Sequence, residues 1–142
     1  MERHATAVWN GDLREGGGSI SIESGNLYQA QYSAGTRFAD EEGTNPEELL
    51  AAAHAGCFAM QLSHLLALNG TPAEELHAKS TITMGKDGAG FAVQSSALVL
   101  TGRVPSIDGA TFQEIARQAK NDCPISKALG GLSISLDAML VE

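Results

Sequence analysis

The segment from Asn45 to Leu68 constrains the fold more than any other part of the chain. Asn45 is a favourable helix N-cap, Pro46 suits the first helical position, and Glu47 and Glu48 complement the positive end of the helix dipole. Asn69-Gly70-Thr71-Pro72 supplies the stop. The pattern predicts a helix over 46–68 that, past its first turn, is apolar on most sides, which implies burial all round. A chain of 142 residues suits one domain with a hydrophobic core of its own. That core is small for surrounding such a helix, so a second copy of the chain is expected to help.

Sheet and helix signals flank this segment on both sides. Thr6 to Trp9, Ser19 to Glu23 and Leu27 to Tyr32 alternate as strands do, with Ser24-Gly25-Asn26 as a hairpin turn. Residues 35–43 read as an exposed loop. After the helix, Ala78 to Met84 and Phe91 to Gly102 read as strands around a turn at Lys86 to Gly90. Ser106 to Asn121 has the spacing of an amphipathic helix with Phe112, Ile115, Ala116 and Ala119 inward. A short helix begins near Cys123-Pro124 and stops at Gly130-Gly131. Leu132 to Leu140 closes as a strand, with Leu132, Ile134, Leu136 and Ala138 on one face. The expected fold class is α+β: antiparallel sheets with a long buried central helix, in a single domain over 1–142.

Charge and composition exclude several functions. The net charge is −8 and the nine Lys and Arg residues are scattered, whereas nucleic-acid binding needs clustered cations. The N-terminus lacks the apolar stretch of a signal peptide. His54, Gln61 and His64 interrupt the longest apolar run, which argues against a membrane span. A cytoplasmic location is expected, where thiols stay reduced and a disulfide is more often transient and catalytic than structural.

That raises the weight of the two cysteines. Cys57 lies within the apolar helix, where a buried Cys is usually an inert small hydrophobe with a raised pKa. Reactivity there requires a cation. His54, one turn earlier, is the only neighbour in sequence able to carry one, and Arg37 in the preceding loop is the better candidate. Cys123 stands before Pro124 at a helix start, facing unpaired amides and the positive dipole end, which favours a thiolate. The 66 residues between them say nothing of distance, and a bridge needs Cα atoms within roughly 7 Å. A metal site is a weaker reading, because neither Cys-x-x-Cys nor His-x-x-x-His occurs. A Cys–His hydrolase lacks any local signature of an oriented base or oxyanion hole.

The run Gly43-Thr44-Asn45-Pro46-Glu47-Glu48-Leu49-Leu50-Ala51-Ala52-Ala53-His54-Ala55-Gly56-Cys57-Phe58 strongly resembles the core of the OsmC/Ohr family, the osmotically inducible protein C and organic hydroperoxide resistance proteins. Trp9-Asn10-Gly11-Asp12, Glu23-Ser24-Gly25, Thr36-Arg37-Phe38 and Ala119 to Ser126 extend the resemblance over nearly the whole chain. Thr36-Arg37-Phe38 favours the OsmC branch.

The resemblance implies a cofactor-free thiol peroxidase acting as an intertwined homodimer, with its active sites at the dimer interface. It implies Cys57 as the peroxidatic thiol, Cys123 as the resolving thiol, and Arg37 with Glu47 as the charged pair serving the site. Organic hydroperoxides are the implied substrates, and a dithiol, such as a lipoylated protein, the implied reductant. Glu47 and Cys57 are ten residues apart on one helix, about 15 Å along its axis, so one Arg does not readily reach both within a chain. A site built from two chains is therefore expected. Phe38, Phe58 and Met60 are candidates to line a pocket for the peroxide's organic part. The rival reading, from another class, is a non-catalytic thiol redox sensor or binding protein.

Overall fold

A computed structural model describes residues 1–142 as two compact units, Met1–Leu49 and Leu50–Glu142. The first unit holds a three-stranded antiparallel sheet in the order β1 (Ala5–Asn10), β2 (Gly17–Ile22), β3 (Ala30–Tyr32). The register pairs Trp9 with Gly18 and Gly18 with Tyr32, and the Trp9 and Tyr32 rings meet edge to face with centroids 5.2 Å apart. Gly18 is required there, because a Cβ would strike the Val8 carbonyl and lie 2.7 Å from the Tyr32 ring. The third strand is shorter than its sequence pattern, since Gln29 turns to φ 49° and only Ala30–Tyr32 pair.

Within residues 35–43, expected as loop, the chain continues a short helix α1 (Ala34–Phe38). Ser33 and Thr36 close a reciprocal capping box: the Thr36 amide donates to Ser33 Oγ, and the Ser33 amide donates to Thr36 Oγ1. Asn45 then caps α2 (Pro46–Leu68), its Oδ1 accepting from the Glu48 amide at 2.8 Å. At the other end Gly70, at φ +80°, allows the Schellman pair of bonds, Thr71 N–H to Leu66 O and Gly70 N–H to Ala67 O, each 3.0 Å.

The second unit pairs β4 (Glu75–Asp87) with β5 (Gly90–Arg103) as a long antiparallel hairpin. The chain then crosses through α3 (Gly109–Asp122) and α4 (Pro124–Ala128) to β6 (Ser133–Val141), which lies parallel to β5. This sheet is therefore mixed rather than wholly antiparallel. The helical connection is long enough to return the chain to the same end of the sheet, as a parallel pairing requires. Phe58, Leu62 and Leu66 of α2 join Leu98 and Leu100 of β5 and Phe112, Ile115, Ala116 and Ala119 of α3 in one buried cluster. Ile134, Leu136 and Ala138 of β6 pack against it, on the face their alternation predicted.

The helix α2 departs from expectation in two ways. Its buried positions form a single stripe, His54, Phe58, Leu62 and Leu66, rather than the whole circumference, and Met60 is 77% exposed. By length and composition it also reaches the range of a membrane span, despite His54, Gln61 and His64. Its buried stripe belongs to the core of the second unit, which is the role of a core helix.

Candidate active site

The backbone around Cys123 explains where its thiol goes. Cys123 ends α3, its amide donating to the Ala119 carbonyl, and begins α4. Pro124 at the first position of α4 prevents the two helices from merging. The joint turns the Cys123 side chain, fully buried, toward α2. There Cys57 Sγ and Cys123 Sγ lie 2.7 Å apart, sharing a hydrogen bond, with both thiols free. That is within about 1 Å of a disulfide bond length, ~2.0 Å.

Burial pushes the Cys57 thiol up from its ordinary value, and the Cys123 thiol beside it adds to the rise. The Ile125 backbone N–H, the first amide of α4 after Pro124, pulls the other way. A cleft of about 510 Å³ opens at Cys57, lined by Met60, Gln61, His64 and Pro124. Those α2 positions follow Cys57 by three, four and seven residues, a spacing that puts them on its helix face. Met60 thus lines the cleft as expected, whereas Phe58 is fully buried in the core one position round the helix. Gln61, His64 and Pro124 are additions; helical spacing from Cys57 and adjacency to Cys123 were the signals that could have found them.

His54 is not the cation that a reactive Cys57 needs. It is completely buried, and desolvation lowers its pKa, favouring the neutral ring. Its Nδ1 lies 2.6 Å from Ser96 Oγ and its Nε2 2.8 Å from Ser126 Oγ. Ser96 in turn meets Ser80 Oγ at 2.9 Å. No group of three His, Cys, Asp or Glu side chains is placed to hold a metal ion.

In the first unit, Arg37 on α1 grips Glu47 at the start of α2. Nε lies 3.2 and 3.1 Å from the two carboxylate oxygens and an outer guanidinium nitrogen 2.7 Å from one. With side-chain exposures of 36% and 15%, this forked pair is more sheltered than an ordinary surface ion pair. The hydrogen bond that Arg37 donates to Glu47 raises the Arg37 pKa further, so the guanidinium stays charged. Gly43 opens the turn before this point. It adopts φ +147°, where a Cβ would approach the Gln31 carbonyl to 2.6 Å, and the Thr44 amide next to it donates to that same carbonyl at 2.9 Å.

The geometry places two thiols in contact and, elsewhere in the chain, an Arg–Glu fork, all on residues of the segments that resemble OsmC. Residues 39–137 match the model of the OsmC-like protein family. The chain belongs to the OsmC-like family. Peroxiredoxin OsmC of Escherichia coli strain K12 is 42% identical over 140 residues, spanning 99% of this chain and 97% of that protein. An organic hydroperoxide resistance protein of Xanthomonas axonopodis pv. citri is 32% identical over 135 residues, 90% of this chain and 86% of its own. Among solved structures, the organic hydroperoxide resistance protein OhrB of Bacillus subtilis superposes with a TM-score of 0.68 at 25% identity, covering 97% of this chain and 98% of that one. The α+β architecture of two small sheets and a long helix is thus that of an OsmC-like protein.

Proposed function

We propose that the protein is a cysteine-based peroxidase that reduces organic hydroperoxides, and hydrogen peroxide less efficiently. The observation that carries this reading is the approach of two free thiols, 66 residues apart in sequence, to 2.7 Å in an OsmC-like chain. The names of the relatives, a peroxiredoxin and hydroperoxide resistance proteins, support it.

The Cys57 thiolate attacks one peroxide oxygen; the O–O bond breaks, an alcohol leaves, and Cys57 becomes a sulfenic acid. The Cys123 sulfur then attacks the sulfenic sulfur. An S–S bond forms, and the sulfenic hydroxyl leaves with the Cys123 proton as water. A dithiol, from a lipoylated protein or a small molecule, reduces the bridge by exchange and restores both thiols. Burial of Cys57 opposes the thiolate, so a cation must supply what burial removes. Arg37 fills that role, oriented by Glu47. Because Glu47 precedes Cys57 by ten residues on α2, we place the Arg37–Glu47 pair at the Cys57 of a second copy, in a homodimer of single-domain OsmC-like chains. Met60 on the exposed side of α2 suits the organic part of the peroxide. A reducing cytoplasm is the compartment in which such a cycle restarts.

The test is hydroperoxide consumption with excess dithiol, in wild type, Cys57→Ser and Cys123→Ser. Cycling is expected to vanish in Cys57→Ser, and Cys123→Ser to lose the intramolecular disulfide. Undiminished cycling without Cys57 would overturn the proposal, and a single oxidation without turnover in wild type would point to a redox sensor.

A further inference from the structure

The contacts that tie α2 to α4 and its N-cap include the Cys57–Cys123 thiol pair, the Ile125 backbone N–H at Cys57, and His54 Nε2 with Ser126 Oγ at 2.8 Å. His54 precedes Cys57 by three residues and Ser126 follows Cys123 by three, so the His54–Ser126 contact sits one helical turn from the thiols. His54 is itself anchored from behind, through Ser96 of β5 and then Ser80 of β4. The row Ser80–Ser96–His54–Ser126 runs from the sheet through α2 into α4, and it leaves no buried side-chain polar atom unpartnered.

A buried polar row is not the cheapest way to fill a core, since apolar side chains of similar volume are often as stabilising or more so. What it adds here is placement. The helix α4 has five residues, too few to be stable alone, and its N-cap makes no side-chain capping bond. Cys123 stands on that N-cap. A flat neutral imidazole with one donor and one acceptor nitrogen fixes the Ser126 hydroxyl in direction as well as distance.

We propose that His54 is a positioning residue for disulfide formation: through Ser126 it holds α4 so that Cys123 Sγ stays in reach of Cys57. This rests on the peroxidase reading above. The sulfenic acid on Cys57 has two fates. Cys123 attacks it, forming the S–S bond and releasing water, or a second hydroperoxide oxidises it to the sulfinic acid, losing its own oxygen to become an alcohol. Loosening α4 slows the first fate and leaves more sulfenic acid for the second.

The experiment treats reduced protein with a tenfold excess of an alkyl hydroperoxide, without reductant, and measures the sulfinate-to-disulfide ratio by mass spectrometry. Variants are Ser126→Ala, His54→Asn and, as the conservative replacement, Ser126→Thr. A core variant, Val104→Ala, serves as a control for lost stability alone. The ratio is expected to rise at least fivefold in Ser126→Ala and His54→Asn and to return toward wild type in Ser126→Thr. Ser126→Ala removes one oxygen and leaves a good helix former, so it keeps the proposal testable should His54→Asn not fold. A wild-type ratio in Ser126→Ala, or an equal rise in Val104→Ala, would overturn the positioning role. Wild type that forms neither product at Cys57 would overturn the peroxidase reading instead.

Discussion

Cys57 carries a thiol that its own chain holds above the ordinary value, through burial first and the neighbouring Cys123 second. A peroxidatic sulfur reacts as thiolate, so the sign of any cation's effect is fixed: it lowers the pKa, and removing it raises the pKa. Arg37→Met is therefore expected to move the midpoint of Cys57 alkylation upward in pH, read from iodoacetamide rates across pH 6–10, roughly the range a thiol spans. Arg37→Lys keeps the charge and loses the fork; kcat/KM for an alkyl hydroperoxide should drop about tenfold, ~1.4 kcal/mol of transition-state stabilisation. A midpoint unmoved in Arg37→Met would separate Arg37 from the thiol. His54 gives a second pH signature. Its folded pKa is lowered by burial, so between the folded and unfolded values the unfolded chain binds more protons. Its share of stability is complete above the unfolded value, about 6.5, and is lost as pH falls toward the folded one. Urea midpoints compared at pH 7.5 and 5.5 should fall more in wild type than in His54→Asn; equal slopes would mean that His54 does not titrate on unfolding. Sequence made Cys57, Cys123, Arg37 and Glu47 conspicuous through three segments that resemble one family. It hid the environment of His54, because Ser96 and Ser126 are distant in sequence and carry no pattern of their own.

The helix α2 shows what element-level reading can and cannot do. Its ends followed from local chemistry: Asn45 and Gly70 terminate it where a capping amide carbonyl and a positive φ are needed. Its buried face did not, because a helix apolar on most sides has no preferred side until its neighbours exist. The stripe His54, Phe58, Leu62, Leu66 faces the core of this chain, while Met60 and Leu68 remain exposed. Leu62→Ala should cost about 2–5 kcal/mol of unfolding free energy, and Asn45→Ala about 1 kcal/mol, both by urea titration. Strand direction was equally hidden. The alternation of Ile134, Leu136 and Ala138 fixes a face and is the same for parallel and antiparallel partners, so the parallel β5–β6 ladder had to be seen. The short helix α1 was missed because five residues give no periodicity, and Ser33 with Thr36 is a capping box without the usual Glu or Gln.

As a whole molecule, the chain leaves apolar surface uncovered. Ile20 is the one buried hydrophobic residue of the first unit, whose Val8, Leu13 and Tyr28 are 56%, 63% and 71% exposed, and Met60 adds to them from α2. A second copy is the proposed cover. Sedimentation should give twice the chain mass, and the melting temperature should rise with protein concentration. Monomeric, fully active protein would rule out the two-chain site. Met60→Ala separates the roles of its face: it should leave the unfolding of a lone chain nearly unchanged and weaken association. The parallel ladder also sets an order of events in time. The β4–β5 hairpin closes through a turn at Gly88 and needs only neighbouring residues, whereas β6 must wait for α3 and α4 to cross the sheet. Hairpins form in about 1–10 μs, and distant pairings are slower because loop-closure entropy comes first. Cys123 travels on that crossover, so trapping of the two sulfurs by a short bifunctional thiol reagent during refolding is expected to lag the β4–β5 hairpin, and trapping as early as the hairpin would reject this order.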